Sequence, residues 1–372
     1  MWLRVAALHH RNKGVLHGPR GEDTEPVPRS VSRAEPVSCA PVSWPSVEQR
    51  ALGRSGLVVS RLGLGTMTWG RDTDEDEAAM QLTAFVDAGG TLVDTADVYG
   101  DGDSERTLGH LLADVVPRSD VLIATKAVGR THPGAMGRGA SRGHLLAALD
   151  ASLERLGVDH VDLWQLHEWD DATPLEETLA ACDAAVSSGR ARYIGISNFS
   201  GWQTAQAATW QRAWPGRSPV VSTQVEYSLL QRGVEREVVP AAEALGLGVL
   251  AWSPLGRGLL TGKYRHETPV ESRGAAPQWQ GFIDGLRSKK SDRIVEAVIT
   301  AAEGLGTSPL AVALAWVRDR PGVVAPIVGA RTAQQLQASL DADGARLPAA
   351  IRTALEDVSA PPFSYPERRA AQ

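Results

Sequence analysis

The sequence predicts an α/β protein: a closed (β/α)8 barrel of the TIM type, with an N-terminal β-hairpin capping the barrel bottom. Three observations carry that prediction. After Arg50, short apolar runs alternate with segments whose apolar residues recur at helical spacing. The runs lack in-out alternation, as parallel strands buried on both faces do. Lone polar groups stand at the ends of several different runs, where a parallel barrel gathers its chemistry. An open doubly wound sheet fits the same alternation, but it would concentrate its site at one switch point.

The elements follow in order along 372 residues of 43% hydrophobic content. That length suits a barrel folded as one unit. Residues 1–46 hold scattered Pro, Arg, Ser, Glu and His without a period and read as a disordered extension. A start of the true chain near Val47 or Glu48 is the alternative. Trp2–Leu8 is too short for a secretory signal, and Arg4 interrupts it. The barrel domain is expected over 47–372. Ala51–Val59, with Gly53 and Gly56, reads as the hairpin. Strands are expected at Leu62–Gly65, Leu92–Asp94, Val121–Thr125, Val161–Leu166, Tyr193–Ile196, Val221–Val225, Val249–Trp252 and Ala325–Val328. Leu145, Leu149, Leu153 and Leu156 mark one helix, and Leu310, Leu314 and Val317 another. Thr173-Pro174-Leu175-Glu176 reads as a cap followed by Pro at the first helical position. Arg265–Leu286 is long and polar and reads as a mobile flap.

Composition excludes several classes. The net charge of -6 is unremarkable at this length. No basic stripe suggests nucleic acid, and no apolar stretch approaches the roughly 18 residues of a membrane span. Cys39 and Cys182 are far apart and lack CxxC spacing, so neither a disulfide framework nor a metal site is expected, and a reducing cytoplasm is the default. Asp101–Leu112 fails as a calcium loop, with Arg106 at position six and Leu112 at position twelve.

The candidate chemistry lies at three neighbouring strand ends. Leu92-Val93-Asp94 leads to Tyr99, Leu122–Thr125 leads to Lys126, and Val161–Leu166 leads to His167. Each has an ordinary structural reading alone: an Asx turn or cap, loop packing, a solvated charge, a satisfied histidine. Together they form a proton-transfer set. A free tyrosine has a pKa of roughly 10. A nearby lysine is expected to lower it by stabilising the phenolate. Asp94 then holds Lys126 charged, His167 orients an oxygen, and Tyr99 protonates an oxyanion as it forms. Protonating a carbonyl oxygen suits a reduction, and that requires a hydride from a nicotinamide cofactor. No Rossmann fingerprint is present to bind one. Gly63-Leu64-Gly65 continues into Thr66-Met67-Thr68, and Gly256–Gly262 is one residue too long.

The motifs Gly63-Leu64-Gly65-Thr66, Asp94-Thr95-Ala96 with Tyr99-Gly100, Lys126, Leu166-His167, Gly195–Phe199, Gln224–Tyr227, Trp252–Leu255 and Gly329-Ala330-Arg331 resemble, in order, those of the aldo-keto reductase superfamily. The resemblance runs from about residue 50 to the C-terminus. It implies a (β/α)8 barrel that binds NADPH across its strand ends, with Tyr99 as general acid, Lys126 and Asp94 as its tuning pair, and His167 orienting a small carbonyl substrate. It further implies Ser197, Asn198 and Gln224 at the carboxamide and Trp252 on the nicotinamide face, with Thr66 and Met67 beside the cofactor. Ser253, Leu255, Gly256, Gly258 and Lys263 fall at the pyrophosphate, and Gly329, Arg331, Gln335 and Ser339 at the adenosine end. Trp69 and Trp169 are expected as walls of the substrate pocket. A guanidinium before a helix at Ala333–Leu340 suits a ribose 2′-phosphate, which favours NADPH over NADH. A cap of the helix from Trp202 onward is the ordinary reading of Ser197-Asn198. Two other functions stay open: a non-catalytic NADP(H) sensor like the potassium-channel β subunits, and a barrel lyase or isomerase. Substrate and oligomeric state are not legible.

Overall fold

The computed structural model describes residues 47–265, 268–269, 273–275 and 277–362. The expectation for residues 1–46 lies outside them. Ten strands occur among the described residues: β1 (Gln49–Ala51), β2 (Val58–Ser60), β3 (Gly63–Gly65), β4 (Leu92–Asp94), β5 (Leu122–Ala127), β6 (Val161–Leu166), β7 (Ala191–Ser197), β8 (Val220–Glu226), β9 (Gly248–Trp252) and β10 (Val323–Gly329). Strands β1 and β2 pair antiparallel. The other eight close a parallel barrel in the order β10-β3-β4-β5-β6-β7-β8-β9. The predicted fold is therefore the observed one.

Local chemistry explains the closure. Strands β3 and β4 are buried at every position. Gly63 and Gly65 make room for Ile327 of β10, since a Cβ at either would stand 2.5 or 2.9 Å from that side chain. The first strand is thus glycine-rich because its neighbour fills the interior there. The hairpin closes the N-terminal end of the barrel. Leu52, Leu57 and Val59 are buried in one cluster with Leu92, Leu163, Val221 and Val324, near the strand starts. The Arg54 N–H also donates to the Gly246 carbonyl at 2.8 Å.

Six of the described helices carry side-chain caps. Asp74, Ser141, Ser200, Ser288, Ser308 and Thr332 each accept from a backbone N–H of the first turn. Two expectations change. The helix Leu175–Ser187 has Pro174 at its N-cap, and Thr173 gives its hydroxyl to Asp170 at 2.7 Å instead. Asp170 also accepts from the Ala140 and Ala172 N–H groups, so it gathers the loop that Thr173 was expected to cap. The segment expected as a flap contains a helix, Pro277–Asp284. Parts of that segment lie outside the described residues. No single helix among the described residues is long and apolar enough to cross a membrane.

The start of β3 is fixed by a buried ion cluster. Arg61 donates to both oxygens of Asp343 at 2.9 and 2.8 Å and to Glu48 at 2.7 Å. Arg318, fully buried, stands 3.6 Å from the same Asp343 carboxylate. Removing one partner of such a cluster leaves buried charge uncompensated. Asp343→Ala is therefore expected to lower unfolding free energy by roughly 3–5 kcal/mol in urea denaturation. A loss below about 1 kcal/mol, the range of an exposed pair, contradicts this account.

Candidate active site

The site is built on a carboxylate inside the barrel mouth. Asp94 ends β4 and is buried. Lys126 of β5 donates to its Oδ2 at 2.6 Å. Gln165 of β6 and Gln224 of β8 donate to its Oδ1 at 3.2 and 2.7 Å. Lys126 also donates to the Thr95 carbonyl at 2.8 Å and to the Tyr99 hydroxyl at 3.4 Å. Its three ammonium protons are thereby directed at a carboxylate, a carbonyl and a phenol.

Tyr99 reaches that ammonium through a tight turn. Its N–H donates to the Ala96 carbonyl at 3.1 Å, and Gly100 and Asp101 follow at φ 57° and 53°. Burial works against the charge on Lys126, but Asp94 and Tyr99 outweigh it and hold its pKa above the usual lysine value. Burial raises the Tyr99 pKa, Lys126 lowers it and Asp94 raises it, with a net value above that of a free tyrosine. The expected downward shift is thus corrected. Lysine moderates the effect of burial without reversing it, and Tyr99 keeps its proton. His167 stands edge-on to Tyr99 with ring centroids 6.0 Å apart. Burial, then the Lys126 cation, push its pKa down to about 3, so the imidazole is neutral.

A cleft of about 340 Å³ opens above these groups. Asp94, Tyr99 and His167 line it, together with Met67, Ser197, Asn198, Gln224, Trp252, Ser253, Leu255, Gly258, Lys263, Gly329, Arg331, Gln335 and Ser339. Asn198 donates to the His167 carbonyl at 2.9 Å and accepts from the Trp252 indole N–H at 3.0 Å. The Ser197 hydroxyl donates to the Gln224 carbonyl at 2.9 Å. Ser200 forms a full capping box with Gln203, so the helix Gly201–Arg212 does not use Ser197 or Asn198 as its cap. Arg331 precedes the helix Ala333–Asp341, and its N–H donates to Gln335 at 3.1 Å.

Four expected residues lie elsewhere. Thr66 is buried beneath the site, where it bonds the Asp94 carbonyl at 3.2 Å and Ser104 at 2.7 Å. Gly256 shapes the turn at φ +55°, with Leu230 packed where a Cβ would stand. Trp69 is fully buried and donates to Gln81 at 3.1 Å, because that glutamine offers the indole N–H a core partner. Trp169 packs edge-on against Phe199 and Trp202 at 5.2 and 5.3 Å and lines a separate hollow with Leu166. Neither tryptophan lines the cleft.

Arg257 and Phe282 are among the residues of the cleft wall that went unread in the sequence. Arg257 makes a two-pronged pair with Glu226 at 2.9 and 2.8 Å. Its guanidinium lies 3.7 Å over the Phe282 ring and donates to the Phe282 carbonyl. Arg257 was visible between two glycines already singled out. Phe282 had no local signal, since its segment reads as polar. Asn198, Ser253 and Arg257 all hold positive φ, at 57°, 49° and 58°. Such backbone costs on the order of 1–3 kcal/mol per residue and clusters at functional sites.

The aldo/keto reductase family model matches residues 61–358. The chain belongs to the aldo/keto reductase family. This aldo/keto reductase is 39% identical to the uncharacterized oxidoreductase YrpG of Bacillus subtilis, over 84% of this chain and 96% of the relative. It is 36% identical to a probable voltage-gated potassium channel subunit beta of Oryza sativa, over 80% and 91%. Identity to the L-glyceraldehyde 3-phosphate reductase of Escherichia coli is 34%, over 81% and 89%.

The neutral state of His167 is directly measurable. Its ring resonances are expected to stay flat in an NMR titration between about pH 5 and 8, where an ordinary histidine changes charge. A midpoint near pH 6.5 contradicts the burial argument.

Proposed function

We propose that this aldo/keto reductase reduces an aldehyde or ketone to the alcohol with NADPH, and that Tyr99 donates the proton. One observation carries the reading: the Lys126 ammonium lies between Asp94 and the Tyr99 hydroxyl, at 2.6 and 3.4 Å, at the base of a cleft. The donor set of that cleft fits the cofactor. Ser197, Asn198 and Gln224 offer the mixed donors and acceptors that a carboxamide needs. A Cβ on Gly258 would stand 3.1 Å from the Lys263 stem, so the glycine keeps open the approach beside that ammonium. Arg331, next to a helix N-terminus, suits a 2′-phosphate. When bound, reduced nicotinamide supplies the hydride that no side chain can provide.

The chain's own residues do the rest. A carbonyl oxygen entering the cleft meets the Tyr99 O–H and the neutral His167 ring, which offers a hydrogen bond without a competing charge. Charge that develops on this oxygen draws the phenol proton. The phenolate left on Tyr99 faces the Lys126 ammonium, and Asp94 keeps that ammonium charged and aimed. The reverse oxidation uses the same groups. A channel-subunit role, the one the rice relative's name gives, is less favoured because Asp94, Tyr99 and His167 line one cleft with Lys126 bonded beneath them.

Tyr99→Phe keeps the ring and removes the proton. The reading expects kcat for carbonyl reduction to fall by about 10²–10⁴-fold. NADPH affinity, read from tryptophan quenching, should stay near the parental value. Near-parental reduction by this variant overturns the mechanism.

A further inference from the structure

The loop between Asp94 and Tyr99 carries a third ionisable side chain that the mechanism leaves unused. Asp97 is 3% exposed, and its N–H donates to the Lys126 carbonyl at 3.2 Å. Neither carboxyl oxygen has a hydrogen-bond partner among the described residues. The Val98 N–H favours its anion without completing a hydrogen bond. Buried carboxyls are ordinarily partnered, so such a group calls for a reason.

A charge count supplies one. Charges on three other elements act on Asp97: Glu105 of the helix Asp103–Asp114, Arg155 of the helix Arg142–Leu156 and Lys126 of β5. Its own loop adds Asp94 and Tyr99. Glu105 is already committed, accepting from Thr125 at 2.5 Å and from Arg155 at 2.7 Å. Asp94 is committed to Lys126. Three carboxyl groups therefore share two cations in a buried cluster, and Asp97 is the one left without a partner. Burial first, then the Glu105 charge, push its pKa up to about 7, while Arg155 and Lys126 oppose them. When ionised, Asp97 raises the hold of Tyr99 on its own proton.

We propose that Asp97, a buried carboxyl without a partner on the loop between Asp94 and Tyr99, is a positioning residue for the proton transfer that adds to the hold of Tyr99 on its proton. The inference rests on the reading of Tyr99 as proton donor. Its sign follows from the charges. Below neutral pH Asp97 is uncharged, and the phenol is held by burial and Asp94 against Lys126. As pH rises through neutrality, Asp97 ionises and the phenol is held more tightly. Reduction then persists to higher pH, and alcohol oxidation, which needs the phenolate, is delayed.

Asp97→Asn is nearly isosteric and removes that charge. The alkaline limb of kcat/KM for reduction is expected to begin roughly one pH unit lower, as is the onset of alcohol oxidation. Asp97→Glu keeps a carboxyl and should return both limbs toward the parent. A second reading needs no cofactor. The native carboxyl binds a proton more tightly than the unfolded chain, so its contribution to stability is full below about pH 4 and is lost as pH rises toward 7. The Tm of Asp97→Asn relative to the full-length parent should therefore climb from pH 4 to pH 8. Parent-minus-variant infrared spectra of the same proteins should show a protonated carboxyl band at pH 6 that fades by pH 8.

An absent band or a flat Tm difference overturns the proposal, and so does an unmoved alkaline limb. Tyr99→Phe separates the two levels. If it retains activity, the underlying reading fails. If it abolishes activity while Asp97→Asn leaves the limb in place, only the role of Asp97 fails. If Asp97→Asn does not fold, the titrating band of the parent measured against Asp97→Ala decides the matter.

Discussion

The buried ion pair between Asp94 and Lys126 is the interaction on which the rest of the site depends. Taking each ion out of water costs on the order of several kcal/mol, which close geometry and further hydrogen bonds must offset. The barrel provides both. Lys126 comes from β5, Gln165 from β6 and Gln224 from β8, and all three donate to one carboxylate on β4. Four strands thus converge on a single charge, which ties closure of the barrel to the state of the lysine. The lysine in turn faces Tyr99 at 3.4 Å. Were Asp94 neutral, a buried ammonium would lose its counter-charge, and the phenol would lose the group that receives its negative charge.

The same arrangement suits the phenol to the acid role proposed for it. Burial and Asp94 both favour the protonated form, and only Lys126 opposes them. The site stores a proton on Tyr99 while keeping a cation in place to stabilise the product of its departure. His167 complements this because burial and the same Lys126 cation keep it neutral. One ammonium therefore acts on two neighbours in the same sense: it eases the loss of a proton from the phenol and discourages the gain of one by the imidazole.

Much of this was legible in the sequence for a physical reason. Parallel strands buried on both faces are short apolar runs, so a lone polar residue at the end of a run marks a strand end. Asp94, Lys126, His167 and Ser197 were visible that way, as was Arg331 before its helix. Side-chain direction in loops was not legible, because tertiary partners set it. Trp69 turns into the core since Gln81 can accept its N–H, and Trp169 turns toward Phe199 and Trp202. Phe282 lines the cleft under the Arg257 guanidinium, and a polar-looking segment conceals it in the sequence. Asp97 passed unnoticed because its oddity is a count over three separate elements, with no local pattern to announce it.

Hydride transfer within this cleft is the claim from which the roles of all these groups follow. Its most direct test uses NADPH carrying deuterium at the reactive C4 position, with an aldehyde that the protein consumes, followed by mass analysis of the alcohol. The account predicts one deuterium on the carbinol carbon and a solvent-derived proton on its oxygen. Alcohol formed without deuterium on carbon, or label recovered in the water, contradicts it.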